Sequence, residues 1–225
     1  MDAETSIKGF IEASFLDWPG RVASVVFLPS CNLRCPYCHN SALVLTPDDF
    51  EEISVDEVMS RVEENAGFVD GVVVTGGEPA VSAGLPGLLE RFRLSGVPVK
   101  LDTNGTMPEV LERILENGLA SAVAMDIKAP LTSGEYSRAA GREVDITAIK
   151  ESIDLLLGAR VEVFFRTTVV PCLHDDDAIR RILQEIPGHS LTFQNFRPEE
   201  ALDPQYRKML PFGAEDFERL KKNCF

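Results

Sequence analysis

Residues 22–38 read VASVVFLPSCNLRCPYC, an apolar run that leads directly into a loop with three cysteines. The apolar run, Val22–Leu28, has the length of a buried strand and is far shorter than a membrane-spanning helix of about 20 residues. The cysteines Cys31, Cys35 and Cys38 follow it with the spacing C-x3-C-x2-C. In parallel α/β proteins the active site gathers where strands end, so this loop is a candidate functional site.

Apolar runs and helical patterns alternate along the rest of the chain. The predicted strands are Val22–Leu28, Gly71–Thr75, Val97–Asp102, Ala122–Ile127, Val161–Val170 and Ser190–Phe196. The predicted helices are Val55–Asn65, Leu85–Leu94, Pro108–Asn117, Ile146–Leu157, Asp175–Ile186 and Ala214–Asn223. Strands that alternate with helices favour parallel βαβ units, and continuously apolar strands are typical of a sheet covered on both faces.

A closed barrel of eight such units typically needs about 250 residues. This chain has 225 residues and six units, which predicts an α/β fold with a partial (β/α)6 TIM-like barrel of parallel strands. A flat doubly wound sheet is the alternative. The sequence has no evident internal repeat or linker, so residues 1–225 are predicted to form a single domain.

The chain is acidic, with a formal net charge of -14, which argues against broad binding to nucleic acid or to an anionic membrane. No apolar stretch is long enough to cross a membrane, and the N-terminal MDAETSIKGF is too acidic and polar for a signal peptide. We therefore expect a cytoplasmic protein that has neither a membrane nor a nucleic acid as its partner.

Five cysteines, three of them within eight residues, make a poor disulfide framework and favour metal or redox chemistry. Iron–sulfur clusters are held by cysteine thiolates, usually four, so three thiolates would leave one iron open to a substrate. Two alternatives remain: three unrelated thiols, and a zinc site with His39 as fourth ligand, although His39 directly follows Cys38. Cys172 and Cys224 lack this spacing and are predicted to be ordinary thiols.

The segment CNLRCPYCHN resembles the cluster loop of the radical SAM superfamily, in which an aromatic residue such as Tyr37 usually precedes the last cysteine. The longer stretch DWPGRVASVVFLPSCNLRCPYCHN is similar to activating enzymes of glycyl-radical enzymes, first those of anaerobic ribonucleoside-triphosphate reductase and then those of pyruvate formate-lyase. The likeness runs over about residues 8–196. It implies that the three clustered cysteines hold a [4Fe–4S] cluster, that S-adenosylmethionine (SAM) binds at its open iron, and that Tyr37 contacts the cofactor.

The segment Gly76-Gly77-Glu78-Pro79 follows the second predicted strand. Paired glycines let a backbone approach a ligand closely, and carbonyls together with Glu78 could accept hydrogen bonds from a cationic amine. Taken alone, the segment is better read as an ordinary strand-to-helix turn. Its resemblance to the GGEP motif of the superfamily implies that Gly76, Gly77 and Glu78 contact the amino group of SAM.

Two more polar segments, DTNG at residues 102–105 and DIK at residues 126–128, end the third and fourth predicted strands. Carboxylates on neighbouring strand ends can share a hard cation, whereas an Asx turn and a solvated ion pair are the simpler interpretations. In pyruvate formate-lyase activating enzyme, the matching positions hold a monovalent cation and the SAM carboxylate. The resemblance therefore implies Asp102, Thr103 and Asp126 as cation ligands, the Ala124 carbonyl as a further candidate, and Asp102, Asp126 and Lys128 around SAM.

Arg166 interrupts the fifth apolar run, FFRTTVV, where an arginine is costly to bury unless it is paired. It either forms an ion pair at the barrel mouth or, as the family resemblance implies, contacts SAM. Gln194 is left unassigned, and the family's substrate-side histidine after the sixth strand is replaced by FR at residues 196–197. His174 and His189 lie in loop-like contexts and are predicted at the surface.

The resemblance implies a radical reaction in which one electron from the reduced cluster breaks a C–S bond of SAM. The resulting 5′-deoxyadenosyl radical would take a hydrogen atom from a glycine of a partner protein. The expected partner is a glycyl-radical enzyme, first of all anaerobic ribonucleotide reductase, and the expected electron donor is a ferredoxin or flavodoxin. Two other hypotheses remain: a radical SAM enzyme acting on a small molecule or RNA, and an iron–sulfur or zinc binding module without catalysis.

Overall fold

One sheet of seven strands organises the computed structural model, which describes residues 5–222. The strands are β1 (Gly9–Ser14), β2 (Ala23–Leu28), β3 (Gly71–Gly76), β4 (Val99–Thr103), β5 (Ala122–Asp126), β6 (Glu162–Val169) and β7 (Leu191–Asn195). They lie side by side in chain order; β2 to β7 run parallel, and β1 joins β2 antiparallel. Within the described residues β7 does not pair with β1, so the barrel is open on one side.

At least one helix follows each parallel strand. The helices of the described chain are α1 (Ser41–Leu45), α2 (Val55–Glu64), α3 (Leu85–Leu94), α4 (Pro108–Glu116), α5 (Ser133–Ala140), α6 (Ile146–Leu157), α7 (Asp176–Gln184) and α8 (Ala214–Lys222). Side-chain caps fix the starts of several of them: Ser54 accepts a hydrogen bond from the α2 backbone, Asp145 from α6 and Asp175 from α7. Across residues 5–222, no helix has both the length and the apolar character needed to cross a membrane.

The prediction of six parallel strands in a partial barrel is confirmed, whereas β1, α1 and α5 were not predicted. The sequence of β1, GFIEAS, is short and half-exposed at the sheet edge, so it has no continuous apolar run. The sequence of α5, SGEYSRAA, has one large apolar residue, and its helical period is therefore weak. The predicted end of the last helix at Asn223, and the thiol of Cys224, lie outside the described residues.

Two hydrophobic cores pack against opposite faces of the sheet. The larger core joins the helices to outward-facing strand residues such as Val26 and Val74. The smaller core lies on the inner face and is formed by Trp18, Ala23, Val25, Val73 and Ala122. Side chains alternate along a strand, which is why Val25 and Val26 belong to different cores. We call the smaller core the barrel floor; its Trp18 is fully buried and donates from Nε1 to Glu162 Oε2 (3.3 Å).

A column of charged side chains stands on the inner face above this floor. Lys100 pairs across the sheet with Val73 of the floor, and Asp102 lies two residues further along β4. On the next strands, Asp126 pairs with Arg166, and Asp102 pairs with the residue two before Asp126. Paired residues, and residues two apart on a strand, face the same side of a sheet. The fold therefore places these charges between an apolar floor and the loops at the strand ends.

Candidate active site

The carboxyl ends of the strands surround one cavity of about 730 Å³, which lies in the size range of small-molecule sites. The residues that the sequence predicted for the site all line this cavity: Cys31, Cys35, Cys38, Tyr37, Gly76, Gly77, Glu78, Asp102, Thr103, Asp126, Lys128 and Arg166. Gln194, which the sequence left unassigned, lines it as well. The topology thus brings motifs that are far apart in the chain to one place.

The cysteine loop, residues 29–40, begins at a strained backbone position. Ser30 has a φ of 66°, which residues other than glycine adopt rarely and at a cost of about 1–3 kcal/mol. Its N–H donates to the Leu43 carbonyl (3.2 Å), and its carbonyl accepts from the N–H of Glu78 (2.8 Å). Neighbouring segments therefore hold the start of the loop in place.

The helix α5 fixes the middle of the cysteine loop. The Arg34 N–H donates to the Ala140 carbonyl (2.9 Å), and Arg34 Nη1 donates to the Cys31 carbonyl (2.7 Å). Gly141, which ends α5 with a φ of 66°, lies so close that a Cβ there would be 1.9 Å from the Arg34 carbonyl oxygen. A helix that the sequence did not predict is thus needed to shape the loop.

The paired glycines of the GGEP segment bring their backbone against the cysteine loop. A Cβ at Gly76 would lie 2.2 Å from the Leu28 carbonyl oxygen, and one at Gly77 would lie 1.7 Å from the Ser30 carbonyl oxygen. Gly76 also has a φ of 120°, a conformation open mainly to glycine. The two glycines therefore permit a close approach to neighbouring backbone, and both also line the cavity.

Glu78 ties the GGEP segment to the DTNG segment. Its buried carboxylate accepts from Ala80 N–H (3.1 Å), Thr103 Oγ1 (2.8 Å) and Asn104 N–H (2.6 Å). Burial raises the pKa of Glu78 to about 7 in spite of these hydrogen bonds. The Glu78 carboxylate thus braces the GGEP segment against the DTNG segment, and the residue also lines the cavity, where its predicted contact with the SAM amino group stays a prediction.

Asn104 forms an Asx turn, which was the simpler of the two interpretations of the DTNG segment. Its side chain also contacts the cysteine loop. Its Oδ1 accepts from the N–H (3.0 Å) and the hydroxyl (2.6 Å) of Thr106. Its Nδ2 donates to Asn32 Oδ1 (3.0 Å) and, more weakly, to Cys31 Sγ (3.8 Å). The turn thereby links the end of β4 to the cysteine loop.

Two carboxylates and three basic groups form a connected network on the inner face. Arg166 bridges the carboxylates, with Nη1 2.9 Å from Asp102 Oδ2 and Nε 2.8 Å from Asp126 Oδ1. Lys128 Nζ lies 3.2 Å from Asp126 Oδ2, and Lys100 Nζ donates to Asp102 Oδ1. Each of the four carboxylate oxygens therefore accepts from a basic side chain, and Arg166 forms the ion pairs that the sequence suggested.

The ion pairs favour the charged forms of Asp126, Lys128 and Arg166, whereas burial lowers the pKa of Lys100 and its contact with Asp102 opposes that effect. Although burial opposes ionisation, Arg166 and Lys128 hold the pKa of Asp126 well below its usual range, and Asp126 holds that of Lys128 well above its own. Burial raises the pKa of all three clustered thiols, that of Cys35 to about 12, and the nearby Lys128 partly opposes this effect. The thiols are therefore protonated until a metal replaces the proton.

The arrangement around His39 does not support the zinc alternative. His39 Nε2 accepts the N–H of Arg197 (3.2 Å), and burial lowers the pKa of this imidazole, so the other ring nitrogen carries the proton. Neither nitrogen then offers a lone pair to zinc. Among residues 5–222, no three Cys, His, Asp or Glu side chains converge on one position suited to a single metal ion.

The family model described as the Radical SAM superfamily matches residues 25–186, a span that contains the cysteine loop and the GGEP, DTNG and DIK segments. The chain belongs to the radical SAM superfamily. It is therefore an enzyme of the radical SAM oxidoreductase type, which uses a [4Fe–4S] cluster and SAM.

Its similarity to other radical SAM proteins covers nearly the whole chain. A candidate glycyl-radical enzyme activating enzyme of Methanocaldococcus jannaschii is 34% identical over 215 residues, which cover 93% of this chain and 87% of that protein. The pyruvate formate-lyase-activating enzyme of Clostridium pasteurianum is 28% identical over 92% of this chain and 90% of its own length. Among solved structures, Streptococcus suis SuiB bound to precursor peptide SuiA has a TM-score of 0.65 over 88% of this chain and 44% of that chain, with 15% identity, which shows a common fold.

The residues of this radical SAM chain fit a cluster with one open iron. Three thiols of a single loop face one cavity, and no fourth cysteine of the described chain lines it. Three cysteine ligands leave one iron to be completed by a bound molecule. The remaining described cysteine, Cys172, is exposed, as the prediction of an ordinary thiol expected.

The residues do not fit a monovalent cation in the place that the family resemblance implied. The Thr103 hydroxyl donates to Glu78, and the oxygens of Asp102 and Asp126 accept from basic side chains. Ala124 lies in the hydrogen-bonded ladder between β4 and β6, which uses its carbonyl. Basic side chains therefore occupy the carboxylate oxygens of Asp102 and Asp126 that the family resemblance assigned to a monovalent metal ion.

Two supporting residues escaped the sequence analysis. Lys100 lies within a predicted apolar strand, so no sequence pattern assigned it to the site. The one signal of its role was its position two residues before Asp102, which puts both side chains on the same face of the strand. His174 was predicted at the surface, and this was wrong: it is 2% exposed, accepts from Val170 N–H at Nδ1 (3.0 Å) and donates from Nε2 to the Lys128 carbonyl (3.0 Å). His189 is partly exposed beside Phe165.

Proposed function

We propose that this radical SAM enzyme activates a glycyl-radical enzyme, with an anaerobic ribonucleoside-triphosphate reductase as its partner. The observation that carries the proposal is the single cavity in which the three thiols of the cysteine loop meet Asp126, Lys128 and Arg166. The relatives from Methanocaldococcus and Clostridium support the activating role. The resemblance of the segment around the cysteine loop to reductase-activating enzymes supports the choice of partner.

Cys31, Cys35 and Cys38 would hold the cluster, as their spacing and common cavity indicate. When bound, the reduced cluster would supply the one electron that breaks a C–S bond of SAM, giving methionine and a 5′-deoxyadenosyl radical that would take a hydrogen atom from a glycine of the partner. The protein would hold the reacting groups close together in the correct orientation and would exclude competing reactions. We further propose that residues 1–225 act as one domain in the cytoplasm.

The charged network would position the methionine part of SAM. Lys128 and Arg166 line the cavity and would bind its carboxylate, while Asp102 and Asp126 hold these two side chains in place. The carbonyl of Gly77, also in the lining, would accept from the SAM ammonium. Tyr37 forms part of the cavity wall beside the cysteines and would contact the rest of the cofactor.

A local basic patch would receive the electron donor in spite of the acidic composition. Arg34 and Arg142 contact the cysteine loop: Arg34 Nη1 donates to the Cys31 carbonyl (2.7 Å), and Arg142 Nη1 donates to the Asn32 carbonyl (3.3 Å). Arg138 lies in α5, the helix whose end accepts from the loop backbone. Arg138 and Arg142 are exposed. A ferredoxin or flavodoxin, which is acidic, has complementary charge for this surface.

The test is anaerobic reconstitution followed by reduction and addition of SAM and the candidate reductase. A doublet EPR signal on the reductase, dependent on SAM, would support the proposal. The Cys35→Ala variant should lose SAM cleavage, while the Cys172→Ala variant, altered at an exposed thiol, should retain it. Cleavage by Cys35→Ala at the wild-type rate would refute the cluster assignment.

The second candidate is a radical SAM enzyme that acts on a small molecule or RNA. It is favoured by the cavity volume of about 730 Å³, which lies in the size range of small-molecule sites. Production of 5′-deoxyadenosine without an EPR doublet on any glycyl-radical enzyme would favour it over the activating role.

A further inference from the structure

Lys100 lies in an unusual place for a lysine. Its side chain is 1% exposed, and it stands on the inner face of β4 directly above the barrel floor, next to Val73. It does not line the cavity, whereas Asp102, which accepts its hydrogen bond, does. A buried ammonium is costly unless a carboxylate compensates it, so this charge is held for a purpose that packing alone does not explain.

The hydrogen bonds around Lys100 show which group its positive charge compensates. Asp102 Oδ1 accepts from Lys100, and Asp102 Oδ2 accepts from Arg166 Nη1 (2.9 Å) and Thr75 Oγ1 (3.3 Å). Of the described residues, Asp102 provides the one hydrogen bond of Lys100 Nζ. The Lys100 ammonium therefore compensates the charge of the Asp102 carboxylate from the side that faces the barrel floor, away from the cavity.

We infer that the Lys100 ammonium is a built-in cation that takes the place of a bound monovalent metal ion at Asp102, while Lys128 and Arg166 occupy the oxygens of Asp126. The inference rests on the proposed SAM site in the same cavity. It predicts that this enzyme binds SAM without potassium or sodium.

The charge balance of the network supports this role. Two carboxylates, Asp102 and Asp126, face three basic groups, Lys100, Lys128 and Arg166, so one positive charge remains to attract one carboxylate of SAM. A metal ion added to this set would bring a second excess positive charge into a buried place, at a considerable electrostatic cost. Without Lys100 the network would be neutral, and a metal ion would be needed to restore the attraction.

The decisive experiment measures SAM binding to the reconstituted, oxygen-protected protein by isothermal titration calorimetry. The salt is either potassium chloride or choline chloride at equal ionic strength, because choline is too large for the site. For the wild type we expect the two dissociation constants to agree within about twofold. An affinity that rises about tenfold or more with potassium would overturn the inference, and this arm does not require any variant to fold.

The Lys100→Met variant tests the role of the ammonium directly. In choline chloride its SAM affinity should fall about tenfold or more, as expected when one member of a buried charge pair is removed. Potassium should recover much of that loss, and crystals soaked in rubidium should show anomalous density beside Asp102 in the variant but not in the wild type. Wild-type affinity of the variant in choline chloride would overturn the inference.

A matched control is Lys8→Met. Lys8 is also a largely buried lysine, 12% exposed, that pairs with a carboxylate, Glu52 (2.8 Å), away from the cavity. Its loss should leave SAM affinity unchanged in both salts. If the wild type forms its cluster but binds SAM in neither salt, both the proposed function and this inference fail; if it binds SAM only with potassium, this inference alone fails.

Discussion

Replacement of Gly77 with alanine should separate the GGEP segment from the cysteine loop. The new Cβ would lie 1.7 Å from the Ser30 carbonyl oxygen, whereas real contacts of this kind begin near 3.0 Å, so the two backbones must move apart by about 1 Å or more. That movement breaks the hydrogen bond from the Glu78 N–H to Ser30 (2.8 Å). The lost buried hydrogen bond costs about 1–3 kcal/mol, and the forced backbone shift costs a similar amount.

We therefore expect Gly77→Ala to lower the free energy of unfolding by about 2–6 kcal/mol. Urea titration followed by circular dichroism measures this change. Because Ser30 directly precedes Cys31, the iron content after reconstitution should fall as well. An unfolding midpoint and an iron content equal to those of the wild type would refute the reasoning.

Gly87 provides the matched control for this variant. It lies exposed within α3, and a Cβ there would meet no atom within 4 Å. Alanine is a better helix former than glycine, so Gly87→Ala should leave the iron content unchanged and stabilise the fold by up to about 1 kcal/mol. A loss of iron in this variant would mean that the effect at Gly77 is not specific.

Three further variants probe the supports of the site. Burial raises the folded pKa of Glu78 from its ordinary value of 4.5 to about 7, so its contribution to the unfolding free energy should fall by about 3 kcal/mol as pH rises between these values. Urea titrations should show this as a pH-dependent difference between the wild type and Glu78→Gln, and a difference that stays constant over that range would refute it. His174 acts in the opposite direction, because burial lowers its pKa below 6.5 and its contribution to stability is lost as pH drops below that value. The difference in unfolding free energy between the wild type and His174→Gln should therefore shrink as pH falls, and a difference that does not change with pH would contradict this assignment. Asn104→Ala, which loses the hydrogen bonds to Asn32, should reduce stability by about 1–3 kcal/mol and reduce iron uptake, and normal values of both would show that the link is dispensable.

The alternation of strands and helices was predictable because it depends on local pattern. Continuous apolar runs marked the parallel strands, and helical patterns marked the helices between them. Two of the elements that were not predicted, β1 and α5, are stabilised by tertiary contacts: pairing with β2 in one case and packing against the cysteine loop in the other. Such contacts leave little trace in a local pattern.

The location of the candidate site was also predictable, because parallel strands bring their carboxyl ends together. The direction of each side chain was not. Glu78 turns towards Thr103 and Asn104, and His174 turns inward to the Lys128 carbonyl, because hydrogen bonds across distant segments decide these orientations. A sequence motif identifies which residues meet, whereas their division into ligand contacts and supports depends on three-dimensional geometry.

Trp18 of the barrel floor gives this protein a well-placed optical probe. It is the sole tryptophan among 225 residues, its indole is fully buried, and the Arg21 guanidinium lies 4.7 Å from its ring centroid. Its emission wavelength therefore reports whether the barrel floor is exposed to water, whereas the iron content reports the state of the cysteine loop at the strand ends. A variant that loses iron but keeps a buried-tryptophan spectrum has a damaged site on an intact barrel, and one that loses both has unfolded.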